Sequence, residues 1–83
     1  MGAFIYILKS INHPRTYVGS TANIQQRITE HNSGKSTYTK RYLPWMLVYT
    51  EEFGNIEDAR KRERYLKSAA GRRFIKKLNI IPR

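Results

Sequence analysis

Two β-prone segments on either side of a polar turn in the first twenty residues predict a β-hairpin. Residues 4–8 form an unbroken apolar, β-prone run that is long enough for a buried strand. Asn12-His13-Pro14 is typical of a turn, and Thr16-Tyr17-Val18 predicts a second short strand that ends at Gly19. Two such strands around one turn are expected to pair antiparallel.

The segment that follows the hairpin has the spacing of an amphipathic helix. We predict this helix over residues 24–32, because Ser33-Gly34 directly beyond it is a favourable helix stop. Three polar residues before it are suitable N-caps: Ser20, Thr21 and Asn23.

The second half of the chain predicts one more strand and two helices. Residues 35–43 are polar, basic and loop-like, and residues 45–50 have the composition of a third strand. A helix is expected over residues 56–68. Gly71 marks a turn or a new start, and a short basic helix beyond it carries three apolar residues: Phe74, Ile75 and Leu78.

The predicted order is β-β-α-β-α-α, which favours an α+β fold. Three strands with short connections are most simply arranged as an antiparallel sheet flanked by helices. A chain of 83 residues is expected to form a single domain over residues 1–83.

Charge and composition narrow the classes of function. Lys and Arg number 16 against 6 Asp and Glu, so the net charge is +10, which favours nucleic acid as partner. The chain has no cysteine, so disulfides and thiolate metal sites are excluded. No segment resembles a membrane span or a signal peptide, and we expect a cytoplasmic protein without a membrane partner.

Glu63 is the most informative polar residue. Ten Lys or Arg residues lie from Arg60 to Arg83, and Glu63 is the only acid among them. Helical periodicity places it beside the apolar position of Ile56, although an exposed i,i+4 ion pair with Lys67 is a simpler explanation. Our preferred hypothesis is that Glu63 points into a cleft at the sheet edge and binds a divalent metal, which prefers a hard oxygen ligand.

Four other polar side chains have ordinary explanations when each is taken alone. On the first helix, His31 lies almost under Ile24 in the apolar stripe and Arg27 flanks it, where a histidine near the helix C-terminus and a surface arginine are common. Tyr6 and Tyr17 are typical strand residues. Gly19 is different, because a glycine that closes a strand lets the backbone or a ligand approach closely.

Together, these residues resemble the GIY-YIG nuclease superfamily. The resemblance rests on Phe4-Ile5-Tyr6, Tyr17-Val18-Gly19, the Arg27 and His31 pair, and the helix with Glu63. It covers nearly the whole chain and is greatest to small stand-alone prokaryotic members. Those members are in turn similar to the N-terminal domain of the C component of excinuclease ABC. Phe4 replaces the first glycine of the family name.

The resemblance implies metal-dependent hydrolysis of phosphodiester bonds. Glu63 would bind Mg²⁺ or Mn²⁺, and Arg27 would hold a phosphate oxygen. Tyr6 would orient or deprotonate the attacking water, with Tyr17 bonded near the same water or phosphate. His31 would assist the proton transfer or position Tyr6. Asn79 is a further polar residue that the family pattern suggests.

Basic and aromatic residues are expected to track the nucleic-acid backbone and stack on bases. DNA is favoured over RNA, with a structural or single-strand preference, because a domain of this size has little surface for reading sequence. A monomer is favoured slightly. The residues assigned to nucleic-acid binding are Gly19, Lys35, Tyr38, Lys40, Arg41, Arg72, Arg73 and Lys76, with Tyr42 and Lys77 as further contributors.

Two other functions fit the same composition. One is a non-catalytic, basic nucleic-acid-binding module of a repair or RNA-processing complex, which would bind without metal. The other is a structural or ribosome-associated protein, in which Glu63 simply pairs with Lys67 and His31 is solvated.

Overall fold

The computed structural model describes residues 2–78 and confirms the predicted α+β fold and element order. A three-stranded antiparallel sheet carries helices on its faces. Asn79, which the family pattern suggested, lies outside the described residues. The elements are β1 (Ala3–Ser10), β2 (Thr16–Thr21), α1 (Ile24–Asn32), a 3-10 turn (Thr39–Tyr42), β3 (Trp45–Phe53), α2 (Ile56–Leu66) and α3 (Ala69–Lys77).

β1 is the central strand because it is apolar on both faces. The strand order is β2-β1-β3, and both pairings are antiparallel. Ala3, Ile5 and Ile7 point to one face and join the core beneath α2 and α3. Tyr6 and Leu8 alternate with them and pack on the other face against Trp45 and residues of α1. β1 therefore supplies side chains to two separate cores.

Each α-helix begins at a polar cap that the local sequence provides. The side chain of Asn23 accepts from the backbone N–H of Gln26, and the side chain of Asn55 does the same for Asp58. Ser68 caps α3 in the same way. Of the three suitable caps before α1, the structure uses Asn23, which leaves the Ser20 hydroxyl for another contact.

The boundary between the last two helices differs from the prediction. α2 ends at Leu66, two residues early, and the turn falls at Lys67-Ser68. Gly71 lies inside α3, where a Cβ atom would overlap the carbonyl oxygen of Tyr65 and the backbone of Leu66. The glycine is required by close helix packing and not by a turn.

The remaining differences are small. β1, β2 and β3 each extend beyond the predicted residues, and the predicted loop over residues 35–43 contains the 3-10 turn. Between Gly2 and Leu78, no helix is long and apolar enough to cross a membrane.

Candidate active site

The centre of the site is a buried tyrosine–histidine pair. Tyr6 lies in the middle of β1 and His31 in the last turn of α1, and each is only 1% exposed. The Tyr6 hydroxyl oxygen is 3.0 Å from Nε2 of His31. His31 is therefore not a solvated surface residue, and the structure brings together two groups that are 25 positions apart.

Gly19 makes room for the Tyr6 phenol. The two residues are direct partners in the β1–β2 register. A Cβ atom at Gly19 would overlap the hydroxyl oxygen and Cζ of Tyr6. The close approach that the sequence predicted at Gly19 is made by a side chain of the same protein.

Thr39 completes the buried hydrogen-bond chain and was missing from the sequence prediction. Its Oγ1 lies 2.9 Å from Nδ1 of His31, and the residue is fully buried at the start of the 3-10 turn. The Thr39 carbonyl accepts a 2.7 Å hydrogen bond from Nε1 of Trp45. A threonine between two exposed residues in a basic loop gives no sequence signal for such a contact.

Burial favours the neutral forms of both members of the pair. It raises the pKa of the Tyr6 phenol above its ordinary 10.0, against the opposing effect of Arg27. Burial and then the positive charge of Arg27 lower the pKa of His31 below 6.5. At pH 7 the imidazole is neutral, so it is able to accept a proton, whereas the phenol retains its own.

Arg27 lies beside this pair on α1. Its guanidinium influences the pKa of the Tyr6 phenol, as expected for a cation next to that hydroxyl. Nη1 of Arg27 also forms a 2.8 Å ion pair with Glu30 one turn along the helix. The arginine side chain is 39% exposed, so an incoming anion is able to reach it.

Tyr17 forms the outer aromatic wall of the site. Its ring centroid is 4.8 Å from that of His31 and 6.3 Å from that of Tyr6. Tyr38, which lies in the loop after α1, packs against the outer side at 6.1 Å from Tyr17 and is 46% exposed. The aromatic cluster thus extends from the buried pair to the surface.

Glu63 reaches the same region from the other side of the sheet. Ser20 follows Gly19 in β2, and its hydroxyl donates a 2.5 Å hydrogen bond to Oε1 of Glu63. Nζ of Lys67 donates to Oε2 at 2.7 Å and lies 5.8 Å from the centroid of the Tyr17 ring. The carboxylate therefore sits at the β2 edge, near the tyrosines, and also forms the ion pair that gave the simpler explanation.

The charge of Glu63 is stabilised where it stands. Burial opposes its ionisation, but the hydrogen bonds from Lys67 and Ser20 outweigh that cost and hold its pKa below 4.5. An oxygen ligand that is ionised at neutral pH suits a divalent cation.

The donor set around Glu63 fits a sparsely coordinated metal. In residues 2–78 no three His, Cys, Asp or Glu side chains form a group that would hold an ion alone. Mg²⁺ commonly uses one or two carboxylates and completes its shell with water and substrate phosphates. One carboxylate that is paired with the half-exposed Lys67 is compatible with that mode.

The residues predicted to contact nucleic acid fall into separate groups. Arg72 lines a groove together with Tyr17 and Tyr38. Arg73 and Lys76 lie elsewhere on α3, where they line a shallow recess with Lys77. Three further cations are exposed in the segment between α1 and β3: Lys35, Lys40 and Arg41.

Comparison with known proteins shows which family the chain belongs to. The GIY-YIG catalytic domain matches residues 2–79, which is nearly the whole chain. The chain therefore belongs to the GIY-YIG family, as its motifs predict.

The proteins to which the chain is similar include UPF0213 proteins of several prokaryotes. The chain is 36% identical over 74 residues to one from Staphylococcus haemolyticus, covering 88% of this chain and 89% of the relative. It is 42% identical over 65 residues to one from Clostridium perfringens, covering 77% and 69%. The solution NMR structure of a UPF0213 protein from Bacillus halodurans matches with a TM-score of 0.54 and 32% identity, over 94% of this chain and 85% of that one.

Proposed function

We propose that this protein is a metal-dependent endonuclease that hydrolyses phosphodiester bonds in nucleic acid. The observation that carries the proposal is that Glu63, bonded to Ser20 at the β2 edge, lies near enough to the hydrogen-bonded Tyr6–His31 pair to influence the pKa of the Tyr6 phenol. Family membership and the net charge of +10 support the same class of reaction. Family membership and net charge are independent of the geometry of the site.

His31 is the proton acceptor in the proposed reaction, and Tyr6 connects it to the attacking water. The water oxygen forms a bond to phosphorus while one water proton passes to the Tyr6 oxygen. The Tyr6 proton passes to Nε2 of His31, and the bond between phosphorus and the leaving oxygen breaks. The leaving oxygen then takes a proton from solvent. This path requires a neutral imidazole, which its lowered pKa provides.

Thr39 positions the imidazole for this role. For Nε2 to accept a proton, the hydrogen of the neutral ring must be on Nδ1. The hydroxyl oxygen of Thr39 lies 2.9 Å from Nδ1 and is able to accept that hydrogen. The neutral tautomer that the reaction needs is thereby favoured.

Arg27 and Glu63 complete the chemistry on opposite sides of the tyrosines. Arg27 would hold a non-bridging phosphate oxygen through its planar fork of N–H groups. Glu63, with the neighbouring Ser20 hydroxyl, would hold Mg²⁺ or Mn²⁺. A bound divalent metal stabilises negative charge on the phosphate and on the leaving oxygen.

The substrate that we propose is DNA, with a preference for single-stranded or branched structure. A panel of labelled single-stranded, duplex, branched and RNA substrates, incubated with Mg²⁺, Mn²⁺ or a chelator, tests both the metal requirement and this choice. Cleavage of RNA alone would contradict the assignment of DNA, while leaving the reaction class intact.

The site assignment is tested with two substitutions and one matched control. Glu63→Gln and Tyr6→Phe are expected to reduce cleavage by at least about 100-fold, the lower range of a general acid–base contribution. Glu57→Gln removes an exposed carboxylate in the first turn of the same helix and is expected to cut normally. Circular dichroism of all three variants checks that each remains folded.

If both site variants cut as well as the parent, the proposed site is wrong. Binding that is salt-sensitive, unaffected by metal and never followed by cleavage would instead support the non-catalytic binding module. That alternative is consistent with the fact that Ser20 and Lys67 already occupy both oxygens of Glu63.

A further inference from the structure

A groove opens on the outer side of Tyr17, next to the proposed active site. Its volume is about 420 Å³, within the range of roughly 300–1,000 Å³ that is usual for small-molecule sites. We refer to it as the Tyr38 groove. It is lined by the aromatic Tyr17 and Tyr38, the aliphatic Val18, Leu66 and Ile75, the cationic Lys67 and Arg72, and the polar Thr16.

The Tyr38 groove is continuous with the active site through two shared residues. The ring of Tyr17 faces His31 at 4.8 Å and Tyr38 at 6.1 Å. Nζ of Lys67 donates to Glu63 at 2.7 Å and also lies over the ring of Tyr17. A molecule in the groove therefore lies beside the groups that are proposed to act on the phosphate.

The lining selects a flat aromatic group with an anion attached. Leu66 and Ile75 form a floor that offers no hydrogen bond from its side chains, and the ring of Tyr38 is 46% exposed. Among the described residues no carboxylate lines the groove, whereas Lys67 and Arg72 do. A nucleobase with its own phosphate has both required properties, because every base presents a π-face and every linkage carries a negative charge.

We propose that the Tyr38 groove binds one unpaired nucleobase of the substrate strand, stacked on Tyr38, with the adjoining phosphate held by Lys67 and Arg72. This inference rests on the proposed function, since it places the base next to the scissile linkage. A base that is paired in a duplex is enclosed by its neighbours and has no free face to stack. The groove thus requires a single strand, a loop or a base that has left the helix.

The decisive measurement is binding, made without metal so that no strand is cut. A mixed-sequence single-stranded oligonucleotide is compared with versions in which each base in turn is replaced by an abasic linker, using fluorescence anisotropy and the whole protein. Loss of one particular base is expected to weaken binding about 5- to 150-fold, which corresponds to about 1–3 kcal/mol for one stacked base. Loss of the bases far from that position is expected to have little effect.

Substitution of Tyr38 assigns the effect to the groove. In Tyr38→Ala, the intact and abasic strands should bind equally, whereas Tyr38→Phe keeps the ring and should preserve the difference. Tyr65→Ala is the matched control, because Tyr65 on α2 is also 46% exposed and does not line the groove. Arg72→Ala should weaken binding more than Arg73→Ala, which removes the same charge outside the groove.

Two results would overturn the inference. In the first, no abasic position changes the affinity by more than about twofold, whereas a stacked base is expected to change it about 5- to 150-fold. In the second, Tyr38→Ala and Tyr65→Ala behave alike. Either result, found together with metal-dependent cleavage that requires Glu63, would leave the proposed function intact. An intact abasic effect without cleavage of any substrate would refute the nuclease and keep the base-binding groove.

Discussion

At the scale of single residues, the site depends on a glycine that leaves space and a threonine that fills it. Gly19 faces the Tyr6 phenol across the β1–β2 pairing, and Thr39 meets the far nitrogen of His31. The buried Tyr6–His31 pair is thus bounded by Gly19 next to the phenol and by Thr39 next to the imidazole. Either neighbour is expected to affect the pair without contacting the substrate.

Gly19→Ala is expected to lower the free energy of unfolding by about 1–3 kcal/mol, the usual cost of overpacking a core. The added methyl group would overlap the Tyr6 hydroxyl, so the ring must shift and its bond to His31 is lost. Urea denaturation measures the stability, and cleavage of a labelled strand measures the activity.

The matched control is Gly54→Ala, because a Cβ atom there has no neighbour within 4 Å. That change should alter the unfolding free energy by no more than about 0.5 kcal/mol. Equal stability and equal cleavage in both alanine variants would contradict the packing argument.

Thr39→Val is expected to slow cleavage at least about tenfold, as part of a general-base contribution of 10²–10⁴. It keeps the shape of the side chain but removes the hydroxyl partner of Nδ1 in His31. The unsatisfied nitrogen should also reduce stability by about 1–3 kcal/mol. Nitrogen NMR of the imidazole should show loss of the Nδ1–H tautomer, which a purely structural role would not affect.

Thr39→Ser retains the hydroxyl and should restore both the tautomer and most of the cleavage rate. If the serine variant is as slow as the valine variant, then the threonine methyl group and not the hydrogen bond supports the site.

At the scale of elements, α2 connects the site to the rest of the fold. It supplies Glu63 at the β2 edge, and Arg62 on a neighbouring position forms a 2.8 Å ion pair with Glu51 of β3. The guanidinium of Arg62 lies 5.0 Å from the ring centroid of Phe74 in α3. One helix is thereby fixed to both edge strands and to α3.

The close contact between α2 and α3 predicts a large effect at Gly71. In Gly71→Ala the methyl group would fall on backbone atoms of Tyr65 and Leu66, which have no rotamer to change. We expect the free energy of unfolding, measured by urea denaturation, to fall by about 1–3 kcal/mol, because the helices must separate. The separation should also widen the Tyr38 groove, which is lined by residues of both helices.

Ala70→Ser serves as the control for that prediction, since it adds one atom at the preceding, half-buried position of α3. Its stability should remain close to that of the parent. A Gly71→Ala protein as stable as this control would show that the two helices tolerate a wider spacing.

At the scale of the whole molecule, the charge balance and the buried ionisable groups determine the response to pH. The pKa of His31 lies below 6.5, and the pKa values of Glu51 and Glu63 lie below 4.5. In all three cases the unfolded chain binds protons more readily than the folded protein does. On the acid side, stability is therefore fully present above the unfolded pKa of each group and is lost as the pH falls.

Urea denaturation across pH should show two decreases in stability. The first begins as the pH falls below about 6.5, where unfolded His31 becomes protonated, and the second begins below about 4.5 at Glu51 and Glu63. His31→Gln should remove the first decrease and keep the second. His13→Gln, in the exposed hairpin loop, should keep both, and a flat profile in the parent would contradict the burial of His31.

The sequence by itself determined the fold class and the chemical groups. Apolar runs and helix caps act over a few residues, so the hairpin, the third strand and the three helices follow from local preference. The tyrosines, Arg27, His31 and Glu63 were recognised by order and spacing. Their proximity could be expected only through family resemblance, since periodicity places a side chain on a face of its own element and not against another element.

Only the tertiary structure decided which neighbours hold those groups. Thr39 reaches His31 from a basic loop, and Ser20 bonds Glu63 where a helix cap was expected. Gly71 lies within a helix where a turn or a helix start was expected. Each depends on how closely two distant segments approach. The distance between the segments is fixed by packing of the whole core, so it cannot be predicted from a short stretch of sequence.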